Sequence, residues 1–454
     1  MPAPVVCASG APLATSAGAF GAAAGGGFGG FGESPTPPAL GAFNAPSLNA
    51  AAGMPLGAPA AGAFGAPPGI AGLAAGVPAG ASSLLSMGGT AGAASAGGGA
   101  GASRPSVALP CPPEQDVSAL AFRSAAGRGL EIENGSELLA ASAWDGTVRV
   151  WALPGGAGGV VGAGALPSLQ HIFAAPSPQL CVAWTAGGEA LLRGGADGSI
   201  GRLALDASAG GRESIVGSHS AGVCALHVDK QVASLVMAAS WDGSLCGWDL
   251  RQHAGKAATT ASLPNRVLCV DVQWPHAVVG LAAGACTVLV FDLRRPTEPL
   301  RSESLKEAGK TLKPPRCLAI APVLHAGTGA FDYCAGTYEG RVAVQRAVAG
   351  QRFAFKCHLG GEGEPHMVNS VSYSPRDGTL LTAGSDGFVC VWSLEERKRV
   401  LQIPQQLHPV ACAAYDGAGV GIAFATGPDL AGGAAVEVGT KPEVRLTARA
   451  PTAA

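Results

Sequence analysis

The chain has 454 residues, a formal net charge of −2, and only 13% charged residues. Its length allows one large core plus extra segments. Near-neutrality argues against polyanion binding through bulk charge, although a local basic face stays open.

Residues 1–104 are Ala, Gly, Pro and Ser, and Glu33 is the sole ionised side chain before residue 104. Few large side chains are available there to offset chain entropy, so the segment is expected to be disordered. It holds four Phe-Gly pairs, at Phe20, Phe28, Phe31 and Phe64. Isolated aromatics on such a chain can make weak, multivalent contacts. The alternative is that a Gly-rich tract places Gly after Phe by chance. The segment is similar to stretches carried by nuclear-pore proteins. No basic n-region marks a signal peptide, and no apolar run of about 20 residues is free of Pro and Gly clusters, so no membrane span is expected.

From residue 105 to 454 the texture changes to short apolar runs broken by Gly, Asp and Pro. One unit recurs at roughly 40–50 residues, which is the signature of a propeller blade. Ser-Ala-Trp-Asp-Gly-Thr-Val-Arg-Val-Trp at 142–151 returns as Ser-Trp-Asp-Gly-Ser-Leu-Cys-Gly-Trp-Asp at 240–249 and Gly-Ser-Asp-Gly-Phe-Val-Cys-Val-Trp-Ser at 384–393. Units are read at 116–153, 178–206, 219–250, 263–293, 313–346, 366–394 and 408–448. In most of them an acidic residue and a Gly make a tight turn between two antiparallel strands. The alternation after the turn sends one set of side chains into the core. The expected fold is all-β: a seven-bladed WD-repeat β-propeller over 105–454, preceded by the disordered 1–104 segment. A Gly/Ala insertion near 155–165 suggests no function.

Histidines 219 and 358 lie roughly 25 residues before their turn aspartates, which matches the WD-repeat pattern of a buried His, Asp and Trp network. His219, Asp242 and Trp248, and likewise His358, Asp386 and Trp392, are therefore read as structural. The 12 cysteines occur singly with no CxxC pair. They read as small buried hydrophobes in a reducing compartment.

Catalytic signatures are missing. Gly309-Lys310-Thr311 resembles the end of a phosphate loop, but Ser304 stands where the first glycine belongs. No nucleophile elbow, HExxH or paired-acid cluster appears, so no enzyme, metal or cofactor is expected. Aromatics do directly precede three turn acids: Trp144, Trp241 and Tyr338. Arg341 follows its turn, and Lys356 ends a strand expected on the same rim. Exposed aromatics beside cations suit a short peptide bearing acidic or phosphorylated groups. Inter-blade packing is the competing role for each Trp.

Four runs carry a resemblance to a known family. They are Ser240-Trp241-Asp242-Gly243, Glu339-Gly340-Arg341-Val342-Ala343-Val344, Phe355-Lys356-Cys357-His358 and Gly384-Ser385-Asp386-Gly387. Over about 115–427 the chain resembles the WD-repeat propellers of the Rae/Gle-type messenger-RNA export factors and the Bub-type mitotic checkpoint propeller. The resemblance implies a nuclear-pore adaptor that binds a GLEBS-type nucleoporin peptide and supports mRNA export, with single-stranded RNA or mRNP as a further partner. The related alternative is a spindle-checkpoint adaptor for kinetochore phosphopeptides and checkpoint kinases. It implies Trp144, Trp241, Tyr338, Arg341 and Lys356 as the binding set, and a location in the nucleus or nuclear envelope with shuttling to the cytoplasm. The chain departs from the pattern at Ser142-Ala143-Trp144 and in the closing blade near 425–431.

Overall fold

A computed structural model describes residues 106–123, 136–205, 213–228, 232–252, 255–283, 287–307, 309–325, 330–348, 351–361, 363–428 and 441–449. The 1–104 segment and its Phe-Gly pairs lie outside the described residues. Seven four-stranded antiparallel sheets follow one another in chain order. They span 117–174, 179–218, 223–262, 267–303, 315–356, 368–402 and 410–448, and are numbered here as blades 1 to 7. The fold is a seven-bladed β-propeller.

Alternation along the strands explains why blades stack. In blade 1, Leu139 and Ala141 point toward blade 7, whereas Ala140 points toward blade 2. The inner strands therefore feed two cores, and the described buried apolar residues fall into seven clusters, one at each interface between neighbouring blades. Trp151, Tyr333, Phe291 and Phe424 are the largest fully buried side chains. Burying such a ring is worth roughly 2–3 kcal/mol.

The sequence units end where the third strand of a blade ends. Each blade continues into a short outer strand beyond them, such as Ser168–Ala174, Thr259–Ser262 and Lys398–Gln402. Blade 7 is completed differently. Its outermost strand is Val107–Ala108, which pairs with Glu443–Ala448 through Val107↔Leu446 and Ala108↔Arg445. The two ends of the propeller thus share one sheet.

A second device joins the blades near the central channel. Each innermost strand carries a register shift after its first residue. A side chain at that shift donates to the carbonyl of the first residue of the next innermost strand. Ser118 Oγ reaches Gln179 O at 2.6 Å, Cys181 Sγ reaches Val223 O at 3.3 Å, and Cys224 Sγ reaches Val267 O at 3.6 Å. Cys269 Sγ reaches Pro315 O at 3.8 Å and Cys317 Sγ reaches Val368 O at 3.3 Å. Asn369 Nδ2 reaches Val410 O at 2.8 Å, and Cys412 Sγ closes the circle on Val117 O at 4.0 Å. A thiol is a weak donor, but it occupies a carbonyl that the bulge leaves outside the ladder.

The 155–165 insertion forms a short helix, α1 (Gly156–Ala163), between the last two strands of blade 1. Ala157 and Val160, three residues apart, are buried in the cluster shared by blades 1 and 7. Ala157 approaches the bare backbone of Gly421. The helix therefore fills the seam where the ring closes. Glu137 sits beside it, accepting from Gly417 N at 3.5 Å and from the Ala157 amide. Burial first, and the Asp416 carboxylate second, push the Glu137 carboxyl up to about 7. The folded state thus holds a proton that the unfolded chain releases near the ordinary carboxylate range. The stability contributed by this protonated carboxyl is full below about pH 4.5 and is lost as pH rises through about 7. Glu137→Gln is expected to raise stability at pH 8 by about 2 kcal/mol and to change little at pH 4, as read by urea denaturation at both pH values.

Candidate functional site

The turns between the second and third strands of the blades open on one face, together with the connections from blade to blade. Their geometry follows from glycine. Gly387 has φ +79°, and a Cβ there would meet the Gln406 carbonyl at 2.6 Å. The Gly387 carbonyl in turn accepts the Gln406 amide at 2.9 Å. The turn therefore needs both a positive φ and a missing side chain so that the connecting strand can lie against it.

Trp144 stands at the blade 1 turn and is 42% exposed. Asp145 beside it accepts from Thr147 Oγ1 at 2.6 Å and Glu114 N at 2.9 Å, with Arg149 at 3.6 Å. Trp241 occupies the same place in blade 3 but is half-buried. Gly222 lies so close under it that a Cβ would strike the ring at 2.7 Å, and the Arg266 guanidinium lies 4.3 Å from the ring centroid. Tyr338 is 36% exposed in blade 5, with Arg316 at 5.5 Å from its ring. These cation–ring contacts are worth about 0.5–1 kcal/mol each at exposed sites.

Arg341 and Lys356 are direct cross-strand partners at this end of blade 5. Like charges so placed repel. The clash is relieved by Glu307, whose carboxylate lies 2.7 Å from Arg341 Nε. Glu307 belongs to a small hairpin, Lys306–Glu307 against Lys310–Thr311, in the connection between blades 4 and 5. Lys356 is exposed. The structure thus brings Tyr338, Arg341 and Lys356 together at blade 5, with Trp144 and Trp241 on other blades of the same face. Sequence reading missed Arg266, Arg316 and Glu307. Arg266 and Arg316 were legible only as residues immediately flanking the starts of innermost strands, and Glu307 lies in a segment with no blade signature.

The two His-centred networks differ. In blade 6, His358 is fully buried; its Nδ1 lies 2.8 Å from Asp386, and its Nε2 lies 3.0 Å from Thr382 Oγ1. Trp392 Nε1 donates to the same Thr382 oxygen at 3.0 Å. Thr382, which pattern reading had not included, joins His358 to Trp392, and His358 carries the link on to Asp386. In blade 3, His219 Nδ1 lies 2.8 Å from Ser244 Oγ and 3.6 Å from Asp242. Burial lowers the pKa of the His219 ring despite that carboxylate. Burial alone would raise Asp242, but bonds from Ser244 and Ser220 outweigh it and hold the carboxyl to about 2. The fourth member is missing: Ala238 pairs with Cys246 where Thr382 pairs with Cys390. His219 Nε2 and Trp248 Nε1 are accordingly buried without a hydrogen bond, and the two rings meet edge to face at 5.1 Å.

Among the described residues no group of three or more His, Cys, Asp or Glu side chains has an arrangement that could hold a metal ion. Nine described cysteines are free, and burial raises the pKa of every one that lines the inter-blade ring.

Comparison with known proteins fits this architecture. The "WD domain, G-beta repeat" family model matches residues 113–152 and 352–393. The Poly(A)+ RNA export protein of Schizosaccharomyces pombe is 30% identical, over 73% of this chain and 87% of its own length. The chain belongs to the Rae1/Gle2 family of WD-repeat propellers. The Drosophila melanogaster Protein Rae1 is also 30% identical, covering 71% of this chain and 87% of that relative. The Caenorhabditis elegans Mitotic checkpoint protein bub-3 is a near relative, 28% identical over 70% of this chain and 86% of its own. No helix among the described residues is long and apolar enough to cross a membrane.

Two substitutions test the networks. Thr382→Val should cost about 2–3 kcal/mol, because it leaves the His358 and Trp392 nitrogens buried without partners. Ala238→Thr should raise stability by about 1 kcal/mol by supplying the missing hydroxyl in blade 3. Chemical denaturation of the two variants measures both.

Proposed function

We propose that this propeller is a non-enzymatic adaptor of the nuclear pore, which grips a short GLEBS-type nucleoporin peptide and couples export-competent mRNA to transport. The observation that carries the reading is similarity to a poly(A)+ RNA export protein along 87% of that relative. The exposed aromatic rim supports it. Trp144 and Tyr338 are exposed and Trp241 is half-buried, with Arg266 over Trp241, Arg316 over Tyr338 and exposed Lys356 at the same end of blade 5. Ring-and-cation anchors of this sort dominate peptide recognition energetics. On this reading the protein works at the nuclear envelope, shuttles to the cytoplasm and needs no cofactor, and single-stranded RNA reaches it as part of the mRNP.

The similarity to bub-3 favours a second reading, a checkpoint adaptor that reads kinetochore phosphopeptides and checkpoint kinases. Against it, Arg341 is already neutralised by Glu307 and is a poor free receptor for phosphate.

Calorimetric titration with a GLEBS-type peptide separates the two. Trp241→Ala should weaken binding by about 2 kcal/mol, a loss of roughly thirtyfold, and phosphorylation of the peptide should not strengthen it. Unchanged affinity in Trp241→Ala removes the assignment. Phosphate-dependent tightening that is lost in Arg341→Glu transfers it to the checkpoint reading.

A further inference from the structure

One run of the sequence has no part in the blade pattern or in the peptide site. Arg294-Arg295-Pro296-Thr297 holds the sole pair of adjacent arginines in the chain, placed three and two residues before a hydroxyl. It lies in the loop that joins the third strand of blade 4, Val288–Asp292, to the outer strand, Arg301–Glu303. Loops between third and outer strands open at the end of the blade opposite the turns that carry Trp144, Trp241 and Tyr338.

The loop stands clear of the sheet. Its ends are tied: the Arg295 amide donates to the Asp292 carbonyl at 2.8 Å, and the Leu300 amide donates to the Val290 carbonyl at 2.7 Å. Between these ties stand Pro296 and Pro299, neither of which has an amide to offer a ladder. Thr297 is exposed and has no hydrogen-bond partner among the described residues. It lines a hollow of about 820 Å³ together with Asp292, Arg294 and Arg295. Arg295 is exposed and pairs with no acid among the described residues. Arg294 forks onto Asp292, with Nε to Oδ1 at 2.9 Å and Nη2 to Oδ2 at 2.6 Å. Those bonds hold the Asp292 carboxyl to about 2. An exposed ion pair of this kind is weak, so an acidic cleft can draw Arg294 out of it.

Exposure sets Thr297 apart from similar positions. Two other described hydroxyls follow an arginine by three residues, Ser304 and Thr379. Ser304 is half-buried just past the outer strand of blade 4. Thr379 Oγ1 donates to Asp377 at 2.7 Å and accepts from Arg449 at 3.0 Å. Thr297 carries both arginines and keeps its hydroxyl open to solvent. Protein kinases select substrates by charge pattern around the acceptor, and an acidic kinase cleft takes arginines just before it.

We propose that Thr297 is a phosphorylation site for an arginine-directed protein kinase, on the face away from the peptide site. Thr297 Oγ1 attacks the γ-phosphorus of ATP and its proton passes to the carboxylate base of the kinase; the bond to the bridging oxygen breaks and ADP leaves. The new group carries a charge of about −1.5 to −2 and stands in the hollow that Arg295 lines, where an unpaired guanidinium can take it in a bidentate bond.

The test uses the full chain, magnesium-ATP and the catalytic subunit of the cyclic-AMP-dependent protein kinase, read by intact mass and peptide mapping. Wild type should gain one phosphate, on Thr297, and Thr297→Ala should gain none at the same kinase dose. Arg294→Gln and Arg295→Gln should each lower kcat/KM for the transfer about tenfold, with unchanged melting temperatures, whereas Arg376→Gln should change nothing. The phosphorylated chain should bind a GLEBS-type peptide within twofold of the unmodified one. A native chain left unmodified by a kinase that fully modifies its standard peptide overturns the site, as does equal labelling of Thr297→Ala. Labelling of Thr297 that ignores both arginine substitutions overturns the assignment to an arginine-directed kinase. Labelling of Thr297 in a chain that binds no GLEBS-type peptide supports the site and removes the function proposed above.

Discussion

Everything in this molecule depends on closing a circle of separate sheets. Among the described residues no hydrogen-bond ladder joins the sheets of neighbouring blades, so side chains hold each blade to the next, and the Val107–Ala108 strand fastens the last blade to the chain that leads into the first. Apolar clusters hold the blades face to face, and the ring of Ser118, Asn369 and five cysteines ties the innermost strands. The ring needs a small donor at the same register shift in each blade. Serine, cysteine and asparagine all satisfy that need, and this explains why cysteine recurs at the start of strand after strand. Its apparent hydrophobicity in the sequence was half of its role. The thiols pack like small apolar groups, while each also occupies a carbonyl that would otherwise be buried and unpaired.

Much of the fold was legible because two of its rules are local and repeated. The acid-Gly turn and the alternation after it are written within about ten residues, and that short unit recurs along the chain. The outer strands were not legible. Segments such as Arg301–Glu303 and Lys398–Gln402 are short and mostly solvated, so hydrophobic pattern says nothing about them. Val107–Ala108 is only two residues long and finds its partner far along the chain. The helix at the blade 1–7 seam was hidden for a related reason: glycine and alanine carry weak local signals, and only docking of Ala157 and Val160 gives that segment a structure.

The candidate site shows the same division. Its aromatic members could be placed because they are tied to the turn acids. Their electrostatic setting could not, because it comes from residues of other blades. Arg266 reaches Trp241 from the start of blade 4, and Glu307 reaches Arg341 from an insertion between blades. The pattern also suggested equivalent His networks in blades 3 and 6. The structure separates them at one position, where Thr382 carries the hydroxyl that Ala238 lacks.

The shared sheet of blade 7 has a further consequence in time. Val107–Ala108 is made early in synthesis, yet it pairs with Leu446 and Arg445, and Arg445 Nε also donates to Ser106 Oγ at 2.9 Å. The earliest strand must wait, unpaired, until almost the whole propeller has been translated. Contacts of such long range slow folding. A ribosome that stops short of residue 443 therefore releases a ring with an open seam and an exposed apolar edge. The closing strand thus ties completion of the ring to synthesis of residues 443–448.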